Sequence, residues 1–432
     1  MFRKRSFIGL FLFLPFLYDS ILVGFGNNLI ISSIQFTGNK KTQDYIIERE
    51  IQHPIQSLFD STLANRDLDR LENLSLFSEV EWKIIPIEDS TAILQYFITE
   101  SLQKLPPFAL PVYDEEQGWS IVGALVFTNF RGRNQFLSLG GSFGGEDSYG
   151  MTFQDPWIFG NHVSFEMTIE NQKFPHLFLE RESQVKNFQI KFGRWFGEKI
   201  KMTIGNSYVQ KRYLGDVDTL SYNFISPEFS FSYDSRDIFW NPSSGKEFNH
   251  NFLSELDHKS KSKSKSSLVW RQSYSSYYKL NSSIKSLIFA INLTINKRWG
   301  YRNIVFLNYF GGSRSIRGWA IPNTSSHSPL KESFRYGHDY IQFSSELRKE
   351  IIPKFATRFD IETGLIIVSF FDIGVISDKI KSFGKEGTMA GAGLGIRVPI
   401  PIFEVIRLDL GWGYRKGSWG KPGLHFWFGQ KF

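Results

Sequence analysis

Apolar and polar residues alternate with a period of two over most of this chain. Val163, Phe165, Met167 and Ile169 are interleaved with Ser164, Glu166 and Thr168, and Phe229, Phe231 and Tyr233 with Ser230 and Ser232. Leu287, Phe289, Ile291, Leu293 and Ile295 alternate with mostly small or polar residues. Successive side chains of a strand point to opposite sides, so each stretch predicts a strand with one apolar and one wet face. The pattern starts near Trp119 and runs to Phe432, and about 20 residues per strand and connection gives around 16 antiparallel strands.

Residues 29–101 follow a different rhythm. A strand over Ile30 to Phe36 ends at Gly38-Asn39, and a helix begins near Thr42, carries Ile47 and Ile51 on one face and stops at Pro54. A second helix presents Leu68, Leu71 and Leu74. Val80, Trp82 and Ile84 then alternate as a strand broken by Pro86, and Leu94, Tyr96 and Ile98 form another. The order β-α-α-β-β over about 70 residues predicts a small independent domain. Pro106, Pro107 and Pro111 then predict a stiff linker over 102–118.

The N-terminus has its own layout. Arg3, Lys4 and Arg5 precede an apolar run from Phe7 to Tyr18, followed by Gly24 and Gly26, which predicts a secretory signal peptide over 1–26. With this leader, a strand pattern reads as a transmembrane barrel. Aromatic content of 16%, with 43 Phe, 17 Tyr and 11 Trp, fits a lipid-facing surface with interfacial girdles. Zero cysteines exclude disulfides and thiolate metal sites. The net charge of +7 is spread over turns and inward positions rather than gathered on a helix, so nucleic acid is not an expected partner. The segment from His258 to Lys265 alternates lysine with serine and reads as a solvated loop tip.

Little in the chain suggests catalysis. Gly140-Gly141-Ser142-Phe143-Gly144 fits G-x-S-x-G, but a nucleophile elbow needs a strand-to-helix turn that the surroundings do not predict. The eight histidines show no metal-ligand spacing, and Gly391 to Gly395 is followed by no helix that would make it a dinucleotide fingerprint. The reading is therefore a protein that is not an enzyme and needs no cofactor or metal.

The candidate site lies in the C-terminal third. Gly311-Gly312-Ser313-Arg314-Ser315-Ile316-Arg317-Gly318-Trp319 is a glycine-rich connection carrying an Arg-Gly step. In the next strand Gln342, Ser344, Glu346 and Arg348 share the lumen phase. In the one after, Asp372 and Gly374 do so. Gly391, Gly393 and Gly395 then fall on one face, leaving a wall without side chains on which other backbone can pack. A guanidinium offers a planar fork of donors, so Arg317 on a loop folded inside could be latched by Asp372 and Glu346.

These motifs resemble those of the BamA/TamA-type outer-membrane assembly and transport superfamily, the bacterial surface antigen barrels. The stretch Gly311 to Trp319 is similar to that family's loop-six motif, whose arginine binds acidic residues on following strands. Phe371-Asp372-Ile373-Gly374 and Ser345-Glu346-Leu347-Arg348 resemble its acidic strand motifs, and Tyr233-Asp234-Ser235-Arg236-Asp237, with Pro242 and Gly245, a recurrent turn between earlier strands. Ile34-Gln35-Phe36-Thr37-Gly38-Asn39 and Leu76-Phe77-Ser78-Glu79-Val80 resemble a POTRA domain, the periplasmic module of such proteins. Trp319 stands where Phe or Tyr is commoner, and one POTRA-like domain is fewer than family insertases usually carry.

The resemblance implies a protein of the bacterial outer membrane whose N-terminal domain lies in the periplasm. Its partners would be the lipid bilayer and unfolded outer-membrane or secreted polypeptides, with room for accessory periplasmic or lipoprotein subunits. Its function would be to insert β-barrel proteins or translocate polypeptides, through a lateral seam and the loop latched by Arg317. A two-partner-type secretion pore for a specific exoprotein and a passive or structural channel stay open as alternatives. The last strand is expected to run from Gly423 to Phe432, with Gly429 as a kink that weakens the seam against a first strand near Ser120 to Phe127, and with Phe432 as the terminal aromatic that marks barrels for insertion.

Overall fold

The computed structural model describes residues 29–432 except 89, 161, 259–264, 282–286, 325–328, 330, 357–361 and 401–403. The predicted signal peptide and most of the Lys-Ser tract lie outside the described residues.

The N-terminal domain runs β1 (Ile30–Thr37), α1 (Asp44–Glu48), β2 (Ser57–Leu58), α2 (Ser61–Asn73), β3 (Phe77–Glu88) and β4 (Thr91–Glu100). Its sheet order is β2-β1-β4-β3, with β1 parallel to β4 and the other neighbours antiparallel. Ile46, Ile47 and Leu71 from the helices close over Ile31, Leu94 and Tyr96 of the two central strands, forming one apolar core. Helix α2 starts at Asp60, whose carboxylate accepts from the Thr62 and Leu63 amides and so satisfies two of the first orphan donors. Pro86 does not end β3 as its sequence suggests. It sits at a register shift in an edge strand, where a missing N–H leaves no interior ladder position unpaired.

Sixteen antiparallel strands follow in one sheet that curls into a nearly closed barrel. They are β5 (Lys104–Asp114), β6 (Gly118–Phe130), β7 (Gln135–Gly144), β8 (Asp147–Asp155), β9 (Val163–Pro175), β10 (Glu182–Phe196), β11 (Ile200–Leu214) and β12 (Thr219–Asp234). Then come β13 (Gly245–Asp257), β14 (Ser267–Lys279) and β15 (Leu287–Gly300). A long connection holding a two-residue ribbon, β16 (Asn308–Tyr309) and β17 (Tyr336–Gly337), leads to β18 (Asp339–Ala356), β19 (Glu362–Ser377), β20 (Thr388–Ile400), β21 (Glu404–Arg415) and β22 (Ser418–Phe428). Alternation sorts the faces: Phe188, Phe192 and Phe229 point outward and are exposed, while Ser207, Ser226, Gln342 and Ser344 point inward and are buried.

Two expected boundaries are wrong. The segment expected as a linker over 102–118 contains β5, which pairs with β6 from Asp114↔Gly118 to Lys104↔Phe127, so the first strand is β5 and not the stretch near Ser120 to Phe127. Three prolines in eleven residues remove ladder donors, and a strand of that kind is tolerated at a sheet edge, which is where β5 lies. The last strand ends at Phe428 rather than Phe432. Gly429 takes a φ of 93° and donates its N–H to the Val405 carbonyl at 2.7 Å, turning residues 430–432 into the lumen. Between β22 and β5, no backbone hydrogen bond joins the described residues.

The N-terminal domain rests on turns at one rim of the barrel. Gln43 N donates to the Gly132 carbonyl at 3.0 Å, Asn129 Nδ2 to Thr42 Oγ1 at 2.9 Å, and Asn73 brackets the β12–β13 turn through the Asp237 carbonyl (2.9 Å) and the Phe239 amide (3.1 Å). The Arg49 guanidinium lies 4.5 Å from the Trp157 ring centre.

Candidate functional site: a loop latched inside the barrel

The connection between β15 and β18 is the sixth on the rim away from the N-terminal domain, and it folds into the lumen. Phe310, Ile316 and the β19–β20 residues Ile376 and Met389 anchor its apolar part, with Trp319 packed alongside. Arg317 is completely buried. Its Nε and Nη2 donate to the two oxygens of Asp372 at 2.8 and 3.0 Å, its amide donates to Asp372 Oδ2 at 3.1 Å, and Nη1 reaches Glu346 Oε1 at 2.6 Å and Asp409 Oδ2 at 3.1 Å. The guanidinium also lies 3.7 Å from the Phe370 ring centre. A planar fork bound to carboxylates on both edges and stacked on a ring is a geometry an ammonium cannot reproduce.

Why strands deliver these groups follows from register. Asp372 on β19 is paired with Ser344 on β18 and Gly391 on β20, so side chains at those positions share the inward face. Glu346 lies two residues along β18 from Ser344, and Asp409 on β21 is opposite Gly395 on β20. The three carboxylates thus come from three strands. Arg397 bridges two of them, giving Nη1 to Asp409 at 2.5 Å and Nη2 to Glu346 at 3.1 Å, and Arg348 gives Nε to the other oxygen of Glu346 at 2.8 Å.

The glycine row makes room for the loop backbone. A β-carbon at Gly391 would collide with the Arg317 carbonyl oxygen, one at Gly411 would come within 2.9 Å of Gly318 N, and one at Gly413 within 2.7 Å of the Trp319 ring. Gly393 and Gly395 are crowded instead by the Leu410 carbonyl and the Asp409 carboxylate, so of the three glycines singled out by sequence only Gly391 carries the loop directly. Gly318 itself has φ of 87° and lies against the Trp412 and Gly413 backbone, which leaves space for no side chain. Trp319 fixes the far side, its indole N–H donating to the Ala390 carbonyl at 2.7 Å.

Sequence reasoning missed the contribution of the C-terminal end of the barrel. His425 on β22 accepts the Gly318 N–H at Nε2 (2.8 Å), and Arg407 Nη2 donates to the Ser313 carbonyl at 2.8 Å. Lys431 Nζ lies 2.9 Å from Asp372 and also donates to the Ser315 carbonyl. Phe432, expected on the outer face of a final strand, instead packs inside with its ring 5.2 Å from the Arg348 guanidinium, which donates to its carbonyl at 2.9 Å. For Asp409 a signal existed, since Arg407 and Asp409 alternate with Ile406, Leu408 and Leu410 in the inward phase of β21. Gly429 is therefore a turn rather than a kink within a strand, and Lys431 and Phe432 are inward anchors.

A sixteen-stranded barrel, an N-terminal α/β module at one rim and an interior loop held by a buried arginine together define a transmembrane barrel of the outer membrane, with its module in the periplasm. Residues 129–432 match the Omp85 superfamily domain, and residues 29–101 match the surface antigen variable number repeat, a POTRA module. The chain belongs to the Omp85 superfamily. Among curated proteins it is similar to the outer membrane protein assembly factor BamA of Neisseria meningitidis serogroup B, at 29% identity over 62 residues, which is 14% of this chain and 8% of that protein's length. Among solved structures it resembles BamA from Haemophilus ducreyi lacking POTRA domains 1-3, at 17% identity and a TM-score of 0.56, covering 93% of this chain and 84% of that one. It also resembles CdiB from Escherichia coli, at 11% identity and a TM-score of 0.57, covering 95% of this chain and 92% of that one.

Proposed function

We propose that this protein inserts β-barrel polypeptides into the outer membrane or passes polypeptides across it, using the unpaired seam between β5 and β22 as a lateral exit and the Arg317 loop as its latch. The observation that carries this reading is the seam: sixteen strands pair in an unbroken series, yet their two ends share no backbone hydrogen bond among the described residues. In lipid an unpaired strand edge is costly, so such an edge is a place where a client strand can add by β-augmentation and gain the hydrogen bonds the barrel lacks. The latch gives the interior a fixed shape on the side next to that edge. The relative named as an outer membrane protein assembly factor supports the same class of activity. No nucleotide is required, because the driving force is the client's own strand pairing and lipid burial.

Reconstitution in liposomes tests it. An unfolded outer-membrane barrel is added and its folding followed by heat-shifted gel mobility, with wild type compared with folded Arg317→Ala. Faster client folding that the variant loses supports the proposal. Absence of acceleration, with ion conductance through the same vesicles, overturns insertion and leaves polypeptide passage or a channel, and failure of an unfolded polypeptide to enter those vesicles then overturns passage as well.

A further inference from the structure

Both strands that bound the seam grip the same short piece of loop. Glu115, in the turn between β5 and β6, accepts the Ser313 N–H at Oε2 (2.8 Å), and its Oε1 lies 2.5 Å from His425 Nδ1 on β22. The other nitrogen of that imidazole, Nε2, accepts the Gly318 N–H at 2.8 Å. A backbone amide can only donate, so Nε2 carries the lone pair and the proton sits on Nδ1, directed at the Glu115 carboxylate. Every partner of the two side chains in this chain of contacts is thereby matched donor to acceptor. Both are enclosed, with side-chain exposure of 1% for His425 and 11% for Glu115. A second strand of contacts runs beside the first: Glu116 binds Arg314 at 2.6 Å and the Tyr309 hydroxyl at 2.6 Å, and the Arg314 guanidinium lies 4.3 Å from the Trp427 ring centre on β22.

We propose that Glu115 and His425 form a side-chain clasp that holds β5 against β22 where the backbone ladder is missing, and that it is released when loop residues 313–318 leave their seat. The inference rests on the reading of the seam as a lateral exit and adds the means by which that exit is kept shut. An ordinary barrel closes through a continuous ladder that must break at many points to open. Here the imidazole–carboxylate contact, templated by two loop amides and flanked by the Glu116–Arg314 pair, bridges the gap, so opening the seam and unseating the loop become the same event. Glu115 and His425 are positioning residues in this scheme, since neither pairs with a client.

The chain has no cysteine, so spin labels can be placed without background. Cysteines at outward-facing Leu110 on β5 and Leu424 on β22 carry the labels, in full-length protein in lipid nanodiscs with no client present. Wild type is expected to give one narrow distance. Glu115→Ala and His425→Ala are each expected to add a population longer by on the order of 5 Å, one strand spacing, and the double variant no more than either single, the signature of a coupled pair. Glu115→Gln, which keeps the volume of the side chain, serves where an alanine variant fails to show heat-shifted folding, and is expected to add the same longer population. An unchanged distance in folded single variants, or a double effect equal to the sum of the singles, overturns the clasp. Client folding on the same variants separates the two claims: a seam that widens without altering client folding defeats the lateral exit and leaves the clasp standing.

Discussion

Arg317 and Asp372 are joined by three hydrogen bonds, two from the guanidinium edge and one from the arginine's own amide, so the loop's backbone and side chain are fixed by the same carboxylate. Lysine at 317 can satisfy only part of this. Arg317→Lys keeps the charge but loses the fork, and is expected to destabilise the folded barrel by about 1 to 3 kcal/mol, the cost of buried acceptors left without a donor. The midpoint of urea unfolding in lipid, read by tryptophan fluorescence, checks it.

The loop's seat depends on bare backbone. Gly391→Ala puts a methyl group into the Arg317 carbonyl and is expected to expel the loop, making Arg314 and Arg317 cleavable by trypsin added outside intact vesicles. Gly384→Ala is the control, since nothing lies within 4 Å of its added carbon, and it is expected to stay resistant like wild type.

The periplasmic domain is held to the barrel by polar contacts with exposed turns. Asn73→Ala removes both bonds to the β12–β13 turn, and a loss on the order of 1 kcal/mol per bond should raise hydrogen exchange at residues 237–239 without changing exchange in the domain's core strands.

His176 lies in the connection between β9 and β10, its ring 4.6 Å from Phe178 and 5.8 Å from Tyr213. Burial pulls its pKa down to about 4 from 6.5. The packed loop therefore binds the proton less well than a released loop does. Packing is favoured fully above about pH 6.5 and weakens as pH falls towards 4, so exchange at 176–181, corrected for the intrinsic rate, should rise across that window in wild type and stay flat in His176→Gln.

What the chain's pattern revealed and what it hid have physical reasons. Inward-phase carboxylates on regular strands were legible, because a period of two assigns Glu346 and Asp372 to a face without any knowledge of neighbours. Asp409 has the same inward phase on β21, but its meeting with Arg317 and Arg397, and that of His425 with Glu115, depend on strand stagger and barrel closure, which no local pattern encodes. The proline density of β5 outweighs its weak alternation, so its sequence alone predicts a linker. Its edge position, the reason those prolines are tolerated, is a property of the assembled sheet. Alternation continues through Phe428 and so predicts strand to the end, and only the positive φ of Gly429 stops it.

The charge cluster also braces the barrel wall from within. Its members come from β18, β19, β20, β21 and the loop that precedes them. Arg317 on the loop touches carboxylates on three of those strands, Glu346 on β18, Asp372 on β19 and Asp409 on β21. A seated loop therefore ties the wall together across the lumen, between strands that are not all ladder neighbours.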